Sequence, residues 1–171
     1  MTSVRTLITL RHAQTEDVRP GGRDLDRRLT AHGEDQARAV GEFLRREAII
    51  VDTVLCSTAM RARRTLELLG LPTGDDAPRT TISEQFYSAG TDSLIEAVRA
   101  LPDDVAGALL VGHAPGLPGV VYEVVDADSA DPAAWAAIEH RFPAAALARL
   151  EWAGGWADLG TARLVSVRLP D

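Results

Sequence analysis

Lysine is absent from this 171-residue chain, cysteine occurs once, and aromatic residues make up only 5%. The single Cys56 excludes an intrachain disulfide and makes a reducing cytoplasm the expected setting. No stretch approaches about 18 consecutive apolar residues, and Met1 to Leu10 carries Arg5 with no long apolar run behind it, so neither a membrane span nor an export signal is expected. Positive charge rests on arginine, and 25 acidic against 18 basic side chains leave a net −7. That balance repels nucleic acid and anionic membrane, so neither is expected as a partner. His-x-x-x-His, paired-cysteine and EF-hand spacings are also missing, and no metal is expected.

What remains is 46% hydrophobic and 25% charged, the balance of an ordered globular protein. The length suits one well-buried core, and no repeat, low-complexity tract or linker divides it, so a single domain over 1–171 is expected.

Val4 to Leu10 is short, apolar and rich in β-branched residues, the pattern of a buried strand, and it stops at the polar segment Arg11 to Glu16. Glu16 to Arg28 reads as loop. Thr30 is placed to cap a helix reaching to about Ala48, with Ala37, Val40, Phe43, Leu44 and Ala48 along one face and Gly33 weakening its start. Val51 to Cys56 predicts a second strand. An arginine-rich helix then runs from Ser57 or Thr58 to about Leu69, closed by Gly70 and Pro72. A turn-rich interval leads to a helix over Ser93 to Leu101, a strand over Ala108 to Val111, and a strand-to-helix junction at Gly112 to Gly116. Alternation at Ala146, Ala148, Leu150 and Trp152, and again at Val165, Val167 and Leu169, predicts a terminal hairpin. The expected class is α/β: a three-layer α/β/α sandwich with a mostly parallel sheet and an antiparallel edge.

Three polar segments follow the carboxyl ends of predicted strands: Arg11 with His12, Ser57 to Arg64, and His113. Strand ends of an open α/β sheet face a common crevice, so residues far apart in sequence converge there. A phosphoryl group in transfer spreads negative charge over its oxygens, and guanidinium groups match those oxygens with paired donors. Arg11 and Arg61 are the candidates for that role. His12 is the candidate nucleophile, because a neutral imidazole attacks phosphorus and neighbouring arginines keep it unprotonated. His113, in a Gly-His-Ala-Pro-Gly turn, is expected to donate to a phosphate oxygen in its protonated form. Arg63 and Arg64 are rotated around the same helix and belong outside the crevice. His32 and His140 fall on helical segments as surface residues. The spacing from Cys56 to Arg61 is one residue short of a cysteine-phosphatase loop, and Cys56 lies in an apolar strand, so its thiol is expected to be buried and inert.

These segments also resemble a known family. Leu10-Arg11-His12-Ala13-Gln14-Thr15 looks like the signature of the histidine phosphatase superfamily, which includes cofactor-dependent phosphoglycerate mutases and many phosphatases. Arg28-Leu29-Thr30-Ala31-His32-Gly33 resembles its Leu-Thr-x-x-Gly stretch, Ser57 to Thr65 its Ser-x-x-x-Arg-Ala-x-x-Thr stretch, and Val111-Gly112-His113 its second histidine. The short length and the Arg-His-Ala variant are most similar to the SixA-like phosphohistidine phosphatases. The resemblance implies a phosphoglycerate mutase-like fold, His12 as the phosphorylated residue, and Arg11, Arg61 and His113 as phosphate ligands. It also places Glu84 where larger members carry a proton-donating acid; Thr15, read from the residue itself, is a candidate either to touch the phosphate or to hold the turn through its hydroxyl. Three positions depart from the pattern: Ala13 for Gly, Thr58 for Pro and Arg64 for Gln. Ala13 matters if the backbone there needs a positive φ.

The reaction expected is hydrolysis in two displacements without a cofactor. A phosphohistidine protein is the preferred substrate, since so short a chain leaves little for a lid over a metabolite. A phosphatase of small phosphorylated metabolites is the alternative within enzymes. A non-catalytic phosphate-binding module of the same fold is the alternative outside them.

Overall fold

The structure is a computed structural model in which residues 3–171 are described; Met1 and Thr2, part of the N-terminal segment read above, lie outside them. Six strands, β1 (Val4–Arg11), β2 (Thr53–Ser57), β3 (Arg79–Ser83), β4 (Gly107–Gly112), β5 (Leu147–Ala153) and β6 (Arg163–Arg168), form one sheet in the order β3-β2-β4-β1-β5-β6. Five helices accompany them: α1 (Ala31–Arg46), α2 (Met60–Leu68), α3 (Thr91–Arg99), α4 (Gly116–Val124) and α5 (Pro132–Ile138). The strands from β3 to β1 pair in parallel, and β5 is antiparallel to both β1 and β6.

The layering follows from the path of the chain. From β1 it steps outward to β2 and β3, then turns back to insert β4 beside β1. Right-handed crossovers put helices on one face during the outward steps and on the other during the return. Accordingly, Ala37, Val40 and Leu44 of α1 and Ala62 of α2 pack with Ile8, Leu10, Cys56 and Leu109. Leu94, Ile95 and Val98 of α3, Val120 and Val121 of α4 and Ile138 of α5 pack with Leu7, Leu55, Leu110 and Leu150 on the other side. Leu7 and Ile8 thus serve opposite cores, which is why the central strands read as unbroken apolar runs.

Thr30 caps α1 as expected, its hydroxyl accepting from the Gly33 amide at 2.9 Å, an interaction worth about 1 kcal/mol. The helix stops at Arg46, short of Ala48, which is exposed at φ 49° and leaves the predicted apolar face. Gly33 is there for space: a Cβ would lie 2.1 Å from the Gln14 carbonyl oxygen. The first turn of α1 is thereby seated on the backbone just beyond His12.

Two elements escape the sequence pattern. β3 is an edge strand, mostly exposed, so no apolar alternation marks it. α5 is a short alanine-rich helix whose N-cap Asp131 accepts from the Ala134 amide at 2.8 Å. It ends before His140, which is exposed and not helical as expected. The terminal strands pair as predicted, with a shift in register between Arg149 and Leu150. Arg149 faces Ser166 and Leu150 faces Leu164, so Val165 is the extra residue of a bulge and Leu164, not Val165, is buried.

Candidate active site

β2, β4 and β1 end side by side in parallel, and neighbouring strands stand about 4.8 Å apart. Side chains at or just beyond those ends must therefore meet. Ser57 closes β2, His113 follows β4 and His12 follows β1. The two imidazole rings lie 5.2 Å apart between centroids, and His113 Nε2 is hydrogen-bonded to Ser57 Oγ at 2.7 Å.

Main-chain bonds fix His12 from both sides. Its amide donates to the Gly112 carbonyl at 3.0 Å, and its carbonyl accepts from the Ala145 amide at 3.0 Å. The Ala13 amide donates to Thr65 Oγ1, which in turn donates to the Arg61 carbonyl. Ala13 is buried and is not among the residues with positive φ, so alanine serves there without strain. His12 Nδ1 lies 2.8 Å from the Ala13 carbonyl oxygen. A carbonyl only accepts, so Nδ1 carries the hydrogen and Nε2 keeps its lone pair.

Both imidazoles are held neutral. Burial, which outweighs the opposing bond to Ala13, lowers His12 to about 3, with Arg61, His113 and Arg11 adding to the shift. Burial, followed by the Arg61 charge, lowers His113 to about 4 against the pull of Asp24. The protonated His113 expected from the sequence is thus not the state this site favours by itself, because burial first and the flanking guanidiniums second oppose it.

Arg11 and Arg61 join the histidines. Arg11 Nη1 donates to the Phe142 carbonyl at 2.8 Å, and burial with the nearby Arg61 charge lowers the Arg11 pKa. Arg61, in the first turn of α2, is buried. Arg11 Nε, Arg61 Nε and His113 Nδ1 are all buried without a hydrogen-bond partner. Buried polar groups are rarely left so, and an oxyanion among them would supply the acceptors.

Arg64 pairs with Glu34 and Glu67, and Arg63 is exposed, both away from this cluster as expected. Cys56 is fully buried and pushed up to about 12 by burial, an inert thiol. Among the described residues no three His, Cys, Asp or Glu side chains converge as a metal site would require.

Two sequence candidates stand apart from the cluster. Glu84 opens a 3-10 turn (Glu84–Phe86) and is exposed, and its side chain has no hydrogen bond or ion pair among the described residues. Thr15 pairs with Leu29 across the loop base, and its hydroxyl accepts from Arg27, so it braces the loop.

The sequence reading missed a second group of residues that reaches Arg61. Asp24, in the loop ahead of α1, accepts from Arg61, Tyr87 and Arg27. Tyr87 also stands edge-on to His113, with centroids 5.6 Å apart. The charge-dense run Arg23 to Arg28 was the available signal, but nothing in it singles out Asp24. A groove of about 730 Å³ runs along α2 and β3, lined by Arg23, Leu25, Met60, Arg64, Glu67 and Ile82 among others, and none of the cluster residues lines it.

The geometry has counterparts in known proteins. Residues 7–86 match the histidine phosphatase superfamily (branch 1). An uncharacterized protein of Mycobacterium tuberculosis is 37% identical over 164 residues, covering 94% of this chain and 99% of its own. The structure of a candidate phosphohistidine phosphatase SixA from Nakamurella multipartitia superposes with a TM-score of 0.83 at 36% identity, covering 98% of this chain and 97% of that one. A phosphoglycerate mutase from Plasmodium falciparum shares the fold alone, with a TM-score of 0.63 at 17% identity over 98% of this chain and 95% of its own. With His12, Arg61 and His113 gathered at one sheet edge of a phosphoglycerate mutase-like fold, the chain belongs to the histidine phosphatase superfamily, in its SixA-like branch.

Proposed function

We propose that the protein is a phosphatase that turns over through a phosphohistidine on His12, and that its substrate is a phosphohistidine side chain of another protein. The observation that carries the first part is the tautomer of His12: with Nδ1–H held by the Ala13 carbonyl, the Nε2 lone pair is the free nucleophile. Nε2 attacks phosphorus, the bond from phosphorus to the substrate nitrogen breaks, and the departing imidazole takes up a proton. Water then attacks the phosphoryl group on His12, releasing phosphate and restoring the imidazole. Arg11, Arg61 and His113 hold the oxygens through both steps. Phosphate charge opposes the lowering of the His113 pKa, so bound substrate favours the doubly protonated form that the site alone disfavours.

Two features support a protein substrate over a small metabolite. The groove along α2 and β3, whose Thr58 and Met60 adjoin Ser57 and Arg61 in the chain, is open and carries apolar Met60 and Ile82, 40% and 45% exposed, next to arginine, a surface suited to a polypeptide segment. Glu84 is exposed and unengaged, and a labile phosphorus–nitrogen bond needs less help from an acid than an alkyl ester does. The test is to incubate the protein with a phosphohistidine peptide and with an aryl phosphate, then trap and map the acid-labile label. The expected result is label on His12, none in His12→Ala, and a larger kcat/KM for the peptide. Label persisting in His12→Ala refutes the nucleophile, and a preference for the aryl phosphate refutes the substrate class.

A further inference from the structure

Asp24 lies at no strand end, yet it accepts both hydrogen bonds that the Arg61 guanidinium makes among the described residues. Arg61 Nη1 donates to the Asp24 main-chain oxygen at 2.7 Å and Nη2 to Asp24 Oδ2 at 2.9 Å. A guanidinium presents its N–H groups in one plane. The two oxygens of Asp24 take the edge formed by the two Nη groups. Left over, side by side on the adjacent edge, are Nε–H and the second hydrogen of Nη2, and Nε is buried without a partner. Such an edge matches two oxygens of a phosphoryl group. The carboxylate is itself held: Tyr87 donates to Oδ2 at 2.7 Å and Arg27 to Oδ1 at 3.2 Å. The Arg61 guanidinium also lies 5.9 Å from the Tyr87 ring centre.

We propose that Asp24 is a positioning residue for the reaction, gripping the outer edge of Arg61 so that the remaining edge faces the oxyanion, with Tyr87 fixing the carboxylate. The proposal rests on the phosphatase reading above. A rival role, in which Asp24 competes with phosphate for Arg61, fits the hydrogen bonding less well. Asp24 takes Nη1 and Nη2 and leaves the buried Nε unpartnered, so it does not occupy the whole set of donors an oxyanion would use. Its main-chain oxygen, moreover, contributes half of the grip and carries no net charge to mimic a phosphate.

The test measures orthovanadate and inorganic phosphate binding by calorimetry, and aryl phosphate hydrolysis, for the wild type, Asp24→Ala, Asp24→Asn, Tyr87→Phe, Arg61→Ala and the Asp24→Ala/Arg61→Ala pair. Asp24→Ala is expected to weaken vanadate about tenfold and to lower kcat more than it raises KM. Asp24→Asn, which keeps an oxygen acceptor, should recover part of the loss, and Tyr87→Phe should cost about threefold. In the Arg61→Ala background, Asp24→Ala should add less than about twofold, because its effect passes through Arg61. Tighter anion binding in either Asp24 variant overturns the proposal in favour of competition. An undiminished effect without Arg61 overturns it in favour of general loop stability. Should Asp24→Ala fail to fold, Asp24→Asn carries the same comparison. A wild type that neither binds these anions nor turns over overturns the phosphatase reading and this proposal together, whereas an active wild type with an unchanged Asp24→Asn overturns this proposal alone.

Discussion

The two halves of the site are held in different ways. His12, His113 and Ser57 stand at strand ends, and the backbone of His12 is tied into the sheet by bonds to Gly112 and Ala145. Asp24, Arg27 and Tyr87 come from the loop before α1 and from a 3-10 turn, and charged side chains hold them with Asp24 44% exposed. Backbone hydrogen bonds within a sheet set an atom's place independently of rotamers, and salt screens them little. Partly exposed ion pairs are weaker and are screened by salt. The proposed nucleophile therefore sits on the rigid half, while the charge proposed to orient Arg61 sits on the adjustable one. Substitutions at strand ends should lower kcat most, and those in the loop should lower it less while weakening anion binding and adding a salt dependence.

After the loss at His12, the largest effect is expected at His113. His113→Ala removes the donor proposed for the phosphoryl group and should lower kcat by about 10²-fold, read from steady-state hydrolysis. Arg27→Ala, which reaches the site only through Asp24, should lower kcat far less. Equal losses in the two variants would erase the distinction between the halves.

Acid titration separates the halves as well. His12 and His113 fall from the ordinary 6.5 to about 3 and about 4 in the folded protein. Between those values the unfolded chain binds more protons than the folded one, so folding stability is full above about pH 6.5 and declines as the pH falls toward 4 and then 3. Each histidine contributes a slope of up to about 1.4 kcal/mol per pH unit in its window. Asp24 is lowered from 3.8 to about 2, with the Tyr87 hydrogen bond as the leading cause, so its contribution is present above 3.8 and disappears only below that. Urea unfolding across pH 3 to 7 should thus show His113→Gln flattening the upper part of the curve, and Asp24→Asn altering only the acid end. A His113→Gln curve parallel to wild type would contradict the burial argument.

Gly33 joins the two halves, and its substitution tests how firmly. A Cβ there would meet Gln14 backbone atoms, at 2.1 Å from the carbonyl oxygen, and backbone cannot rotate aside as a side chain would. Gly33→Ala should destabilise by about 1–3 kcal/mol in urea unfolding and also lower kcat, since Gln14 lies two residues beyond His12. A loss of stability with unchanged kcat would show that the strand end holds His12 without help from α1.

Much of the rigid half was legible in the sequence, because it depends on regular features. Apolar runs locate the central strands, and the polar residues that end them, Arg11, His12, Ser57 and His113, mark the crevice edge. The loop half depends on tertiary pairing. Asp24 is one acid among several in Arg23 to Arg28, and only the packed structure shows which one Arg61 holds. Tyr87 was likewise hidden, since Glu84 in the same short segment drew the functional reading while the tyrosine makes the contact. β3 was invisible for a related reason: an exposed edge strand carries no core-facing period. The bulge at Val165 shows the remaining limit, since alternation marks a strand without marking where its register slips.

The smallest effect on the proposed phosphohistidine substrate is expected at Glu84, and its dependence on the leaving group matters more than its size. The side chain is exposed at the start of the turn that carries Tyr87, and Glu84→Gln keeps its length while removing the acid. If the residue donates a proton to a departing oxygen, the loss must grow with the basicity of that oxygen. Expected values are less than about twofold on a phosphohistidine peptide and up to about tenfold on an alkyl phosphate. Measuring kcat across a series of aryl and alkyl phosphates gives the slope directly. An equal loss on every substrate would remove Glu84 from proton transfer and attribute its effect to the turn, and through Tyr87 to the grip of Asp24 on Arg61.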